Sequence, residues 1–125
     1  MLNKIILLLI LFLALINIQP AKAEPTKWVG FASYYTIKSS SKLTASGEIF
    51  NENDFTCAIY NIPFGTIIKV TNISNKKFVF VRVNDRGPAK RLNRIIDLTP
   101  TAFKHIAPLS QGLIRVKLEV IKCEI

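Results

Sequence analysis

The chain has 125 residues, half of them hydrophobic, and a formal net charge of +9 from 17 Lys and Arg against eight acids. That length permits one compact domain of ordinary size, and apolar residues spread without polar low-complexity tracts exclude an intrinsically disordered chain. The basic residues stand singly or in pairs, such as Lys76-Lys77 and Lys90-Arg91, with no helical stripe or interleaved aromatics. Nucleic acid is therefore excluded as a partner, and the excess charge points to other polyanions.

Chain order begins with Lys4, an unbroken apolar run from Ile5 to Ile16, Pro20, and the small-residue sequence Ala21-Lys22-Ala23. A basic start, an apolar run shorter than the roughly 20 residues of a membrane span, and an A-x-A site predict a secretory signal peptide over residues 1–23. Removing Lys4 and Lys22 with it leaves a domain of residues 24–125 with 15 basic residues against all eight acids, a net +7. Glu24, not cysteine, follows the cleavage point. The expectation is an exported, periplasmic or extracellular monomer that is neither a lipoprotein nor stably anchored to a membrane.

Trp28 to Tyr35 reads as the first strand, and Thr36 to Asn53 as a long surface loop without sustained period. A second apolar run surrounds Cys57-Ala58-Ile59-Tyr60. Pro63-Phe64-Gly65 turns the chain into a strand over Thr66 to Thr71, and Asn72 to Lys76 supplies a hairpin turn. Phe78 to Val83 alternates, with Phe78, Phe80 and Arg82 on one face and three valines on the other; apolar on almost both faces, it predicts a barrel or sandwich interior. After the turn Asn84 to Lys90, Arg94 to Leu98 is extended, and Thr99-Pro100 reads as an N-cap and first helical residue of a short helix to about Ile106. Leu113 to Ile121 alternates as the last strand. Short strands, one small helix and no βαβ repeat predict a small β-barrel.

Few residues can carry chemistry. Asp85 stands in Asn84-Asp85-Arg86-Gly87-Pro88 directly after an apolar strand, where a stiff turn would present its carboxylate. It could equally be an Asx-type cap accepting backbone N–H groups. Arg86 could hold a second carboxylate or orient a substrate. Asp97 precedes Thr99-Pro100 and is expected to support the helix start. Glu48 reads as a loop acid, and His105, the only histidine, as a residue at a helix C-terminus. Cys57 and Cys123 could form a disulfide in an oxidising compartment or remain buried thiols. With one histidine and two separated thiols, neither a metal nor a cofactor is expected.

The ordered segments Gly30-Phe31-Ala32-Ser33-Tyr34-Tyr35, Thr44-Ala45-Ser46-Gly47-Glu48, Ile62-Pro63-Phe64-Gly65-Thr66, Val83-Asn84-Asp85-Arg86-Gly87-Pro88 and Ile95-Ile96-Asp97-Leu98 resemble the rare lipoprotein A (RlpA) family. The resemblance covers nearly all of residues 29–121. It implies a mainly β fold, a six-stranded double-psi β-barrel with one or two short helices, and endolytic lytic transglycosylase activity on peptidoglycan glycan strands, with a preference for strands lacking stem peptides. Such a lyase leaves 1,6-anhydromuramyl ends. One carboxyl group can act first as acid and then as base; by resemblance it is Asp85, assisted by Glu48. A nearby Glu48 would favour its protonated form and Arg86 would oppose it. Asn84, Arg86 and Tyr34 are the expected substrate contacts. One departure stands out: Ile59 occupies the place where the family commonly has histidine, and an aliphatic side chain can neither donate nor accept a proton. A non-catalytic, expansin-like glycan-binding or wall-loosening module is the alternative; a barwin-like module is disfavoured by the two cysteines.

Overall fold

The structure, a computed structural model, describes residues 2–16 and 26–122. Six strands close into one barrel: β1 (Lys27–Tyr34), β2 (Thr56–Ala58), β3 (Ile67–Asn72), β4 (Phe78–Asp85), β5 (Ile96–Leu98) and β6 (Ile114–Lys122), ordered β1-β5-β2-β4-β3-β6 around the wall. Two neighbouring pairs, β1 with β5 and β2 with β4, run parallel, and the remaining neighbours antiparallel. The ring is closed by short contacts: β1 pairs with β5 only over Ala32–Tyr34, and β4 with β2 only from Arg82 to Asp85.

Period-two alternation builds the core. Val79, Val81 and Val83 of β4 point inward and meet Ile68 and Val70 of β3, Val116 and Leu118 of β6, and Leu98 of β5. Helix α2 (Pro100–Lys104) caps this interior with buried Ala102 and Phe103, and Ile106 follows it into the core. The hydroxyl of Thr99 accepts the Ala102 N–H at 3.4 Å, and Pro100 occupies a position whose N–H has no intrahelical acceptor. Gly30 is required by close approach: a Cβ there would lie 2.7 Å from the Ile95 side chain, which folds over β1.

Two expectations change. β4 is not interior on both faces, because Phe78 and Phe80 face outward and stay half exposed. Asp97 does not support the helix start. It lies in β5, and Arg94 Nε and Nη2 grip its two carboxylate oxygens at 2.9 Å each. Thr99, two residues further, supplies the cap alone, since strand alternation turns Asp97 toward Arg94 before the helix begins.

Helix α1 of the amino-terminal apolar segment spans Leu2–Ile16, 15 residues or about 22 Å at 1.5 Å per residue, against a hydrocarbon core of about 30 Å. Among the described residues no helix is long and apolar enough to cross a membrane. The cleavage point expected at Ala23 and the disulfide partner Cys123 lie outside the described residues.

Candidate active site

Asp85 reaches the site through a bulge. Cys57 of β2 faces Val83 of β4, but the next residue, Ala58, faces Asp85, so Asn84 is an extra residue in the ladder. Odd-numbered side chains of β4 point into the core up to Val83. One inserted residue reverses the phase and turns the Asp85 carboxylate off the valine face, where it stays buried but meets hydrogen-bond donors.

Asp85 is 9% exposed, and its oxygens have different partners. Oδ1 accepts the backbone N–H of Ala45 at 2.9 Å and of Arg86 at 2.8 Å. Oδ2 accepts the Tyr35 hydroxyl at 2.7 Å. The Asx-type cap and the presented carboxylate are thus one arrangement: Oδ1 is fixed by main chain, while Oδ2 is held by a single side chain. Burial, and secondly the bond to Asp85, push the Tyr35 phenol above its ordinary range. The Tyr35 ring packs on buried Phe50, centroids 5.0 Å apart.

The Ala45 N–H is delivered by a tight turn over residues 44–48. Thr44 N–H bonds to Glu48 O and Gly47 N–H to Thr44 O, and Gly47 takes φ +89°, a conformation that favours glycine. Ser46 N–H bonds to Asn84 O at 3.2 Å, docking the turn on the bulge. Glu48 completes the attachment: Arg82 donates to it bidentately, Nη1 to Oε1 at 2.6 Å and Nη2 to Oε2 at 2.8 Å, and Asn84 Nδ2 adds a bond at 3.3 Å. The Arg82 bonds hold the Glu48 carboxyl below its usual range. Glu48 is therefore an ionised clasp, opposite in character to a proton donor.

The structure brings together Asp85, Asn84 and Glu48, and it moves two expected contacts elsewhere. Tyr34 points to the other side of β1, where its hydroxyl donates to Leu109 O at 3.1 Å and its ring meets Phe103. Arg86 touches Asp85 only through its backbone N–H. Its guanidinium donates to Ile59 O at 3.1 Å and stacks 3.9 Å from the Phe64 ring centre. Asn84 is buried and serves the turn. Ile59 is 4% exposed and belongs to the core, whereas Tyr60 beside it is exposed. His105 caps α2 and meets Phe55 edge-on.

Tyr35 and Arg82 are side chains of the candidate site that sequence reasoning did not single out. Tyr35 was signalled by alternation with Tyr34, and Arg82 by a lone charge in an otherwise apolar strand. Cys57 is a buried thiol whose ionisation burial opposes strongly.

Two interleaved parallel pairs in a closed six-strand barrel, with an acid on a bulge at one end, define the class of double-psi β-barrel domains. The lytic transglycolase family model matches residues 27–118, and the chain belongs to that family. It is similar to the endolytic peptidoglycan transglycosylase RlpA of Campylobacter jejuni, 47% identical over 92 residues, covering 74% of this chain and 33% of that protein. The probable endolytic peptidoglycan transglycosylase RlpA of Treponema pallidum is 45% identical over 89 residues, 71% of this chain and 28% of its own length. The chain thus spans about a third or less of these curated relatives.

Among solved structures, the Streptomyces papain inhibitor aligns with a TM-score of 0.63 at 23% identity, over 78% of this chain and 96% of that one. A point mutant of Clavibacter michiganensis expansin in complex with cellohexaose aligns with a TM-score of 0.60 at 18% identity, over 78% and 51%. Both share the fold.

Proposed function

We propose that the protein is an endolytic peptidoglycan lytic transglycosylase, a carbon-oxygen lyase acting on glycan strands and preferring those stripped of stem peptides. The observation that carries this reading is the Asp85 carboxyl, turned off the valine face by the bulge, with Oδ1 fixed by two main-chain N–H groups and Oδ2 held only by Tyr35. Protonated Asp85 gives its proton to the glycosidic oxygen as the bond from the muramyl C1 to that oxygen breaks. The C6 hydroxyl of the same sugar then bonds to C1 and returns a proton to the carboxylate, so no water is consumed and a 1,6-anhydro end results. Glu48 contributes by clasping the turn that delivers Ala45. The names of the relatives support the substrate class.

The amino-terminal apolar segment supports export by a signal peptide, which would carry the domain to the wall polymer that its positive charge suits.

Buried Ile59 favours the second reading, an expansin-like module that binds glycan without cutting it, because no ionisable side chain stands at that place. One experiment separates the two. Peptide-free glycan strands are incubated with wild type and with Asp85→Asn, and products are read by mass spectrometry. Anhydro-ended fragments from wild type alone are expected. Retention of glycan by both proteins with no cleavage would replace the enzyme with the binding module.

A further inference from the structure

Outside the Asp85 site, the strongest unassigned feature is on the outer wall of β4. Phe78 and Phe80 are 50% and 48% exposed and meet edge-on with centroids 5.7 Å apart. Their partners on β3 are Thr71 and Lys69, so no apolar side chain across the ladder covers them. Lys69 Nζ lies 4.4 Å from the centre of the Phe78 ring. The valines of β4 already fill the core from the opposite face, and folding gives these two rings no buried environment.

Size decides what they suit. Two half-exposed phenylalanines offer on the order of 200 Å², against about 800 Å² that each partner contributes to a stable protein interface. Rings half sunk in a barrel wall do not project the roughly 5–10 Å into a bilayer that interfacial binding requires. A narrow chain of pyranose rings fits instead, because its C–H faces complement the negative face of an aromatic ring. The strip also continues from the site. Arg82, on the same face of the same strand, clasps Glu48, and Phe80 and Phe78 follow at about 6.6 Å intervals. Lys69 sets beside the Phe78 ring a charge that complements the carboxylates of a peptide-free strand.

We infer that Phe78 and Phe80 form an accessory platform for the glycan strand as it runs outward from the Asp85 site, an inference that rests on the glycan reading above. The purified protein, its Phe78→Thr/Phe80→Thr variant and a Phe78→Tyr/Phe80→Tyr variant are titrated with labelled peptide-free strands, long and short. Threonine keeps strand propensity and tyrosine keeps the ring. The threonine variant is expected to bind long strands about tenfold more weakly, with short fragments and turnover number unaffected, and the tyrosine variant to match wild type. Equal long-strand affinity in the threonine variant overturns the platform alone, as does a change confined to self-association or to binding of anionic vesicles. Failure of wild type to bind any strand overturns the platform together with the reading it rests on.

Discussion

Tyr35 and Asp85 share a 2.7 Å hydrogen bond in which the phenol donates to Oδ2, the carboxylate oxygen that no main-chain group holds. Fifty residues apart in sequence, they meet although β5 and β2 lie between β1 and β4 in the wall. Tyrosine is a suitable partner for a carboxyl that gains and loses a proton in the proposed reaction. It orients the oxygen while keeping its own proton, since burial and the adjacent acid raise its pKa. Replacing Tyr35 with phenylalanine removes the bond and keeps the packing on Phe50. Release of anhydro ends should fall about 10- to 100-fold in kcat with little change in KM, the pattern expected when a reacting group loses its orientation. An unchanged kcat would remove Tyr35 from the positioning of Asp85.

The same bond predicts an alkaline titration. A phenol with a raised folded value contributes stability that is fully present below its ordinary pKa of about 10 and is lost as pH rises through the raised value. Tyr35 should therefore stay protonated in the folded protein past pH 10. The tyrosinate absorbance step up to about pH 11 should have the same height in wild type and in Tyr35→Phe. A smaller step in Tyr35→Phe than in wild type would show that Tyr35 titrates in its ordinary range.

Glu48 titrates in the opposite sense. Its folded pKa is depressed, so the Arg82 clasp is intact above the ordinary glutamate pKa of about 4.3 and is lost as pH falls through the lowered value. The pair is well exposed, so its loss should change global stability by about 0.5 kcal/mol or less. The effect should be local: on acidification, or in Glu48→Gln at neutral pH, the Ala45 and Ser46 amides should exchange roughly tenfold faster while those of β4 keep their protection. Unchanged exchange at Ala45 would show that the turn holds Asp85 without Glu48.

Much of the barrel was legible in the sequence because alternation and turn chemistry are local. Phe78 to Val83 and the last strand follow from period two, and the helix start follows from Thr99-Pro100. The site was legible as a set of segments, not as a set of side chains. Face assignment depends on single-residue phase, and a bulge such as Asn84 resets that phase without a composition signal. The same sensitivity exchanged Tyr35 for Tyr34, neighbours that point to opposite sides of β1. The pairings Arg82 with Glu48 and Arg94 with Asp97 were invisible for different reasons. The first joins a strand to a distant loop, and the second competes with a helix cap two residues away.

Cys57 offers a test of the core. Burial raises its pKa strongly, so the thiolate that reacts with alkylating agents is suppressed while the protein is folded. In a Cys123→Ser variant, which removes any disulfide partner within the chain, Cys57 should resist alkylation at neutral pH and react fully only in denaturant. Rapid native-state modification would mean that β2 opens readily beside Asp85, because Ala58, the next residue, pairs with that acid.

Asp97 separates a structural carboxylate from a reactive one. Its side chain is 7% exposed and that of Arg94 is 20% exposed, and the pair is bidentate. Removing one charge leaves the other largely desolvated without its partner. Asp97→Asn should therefore cost about 3 kcal/mol, which for a domain of this size lowers Tm by about 12–24 °C. Replacing both residues with methionine should recover most of that loss, since no unpaired charge remains. Below the melting temperature, Asp97→Asn should leave glycan cleavage unchanged, because neither Asp97 nor Arg94 holds Asp85 in the described hydrogen bonds. Asp85→Asn should abolish cleavage at every temperature. Loss of cleavage in folded Asp97→Asn would bring β5 into the reaction and displace Asp85 as its sole acid.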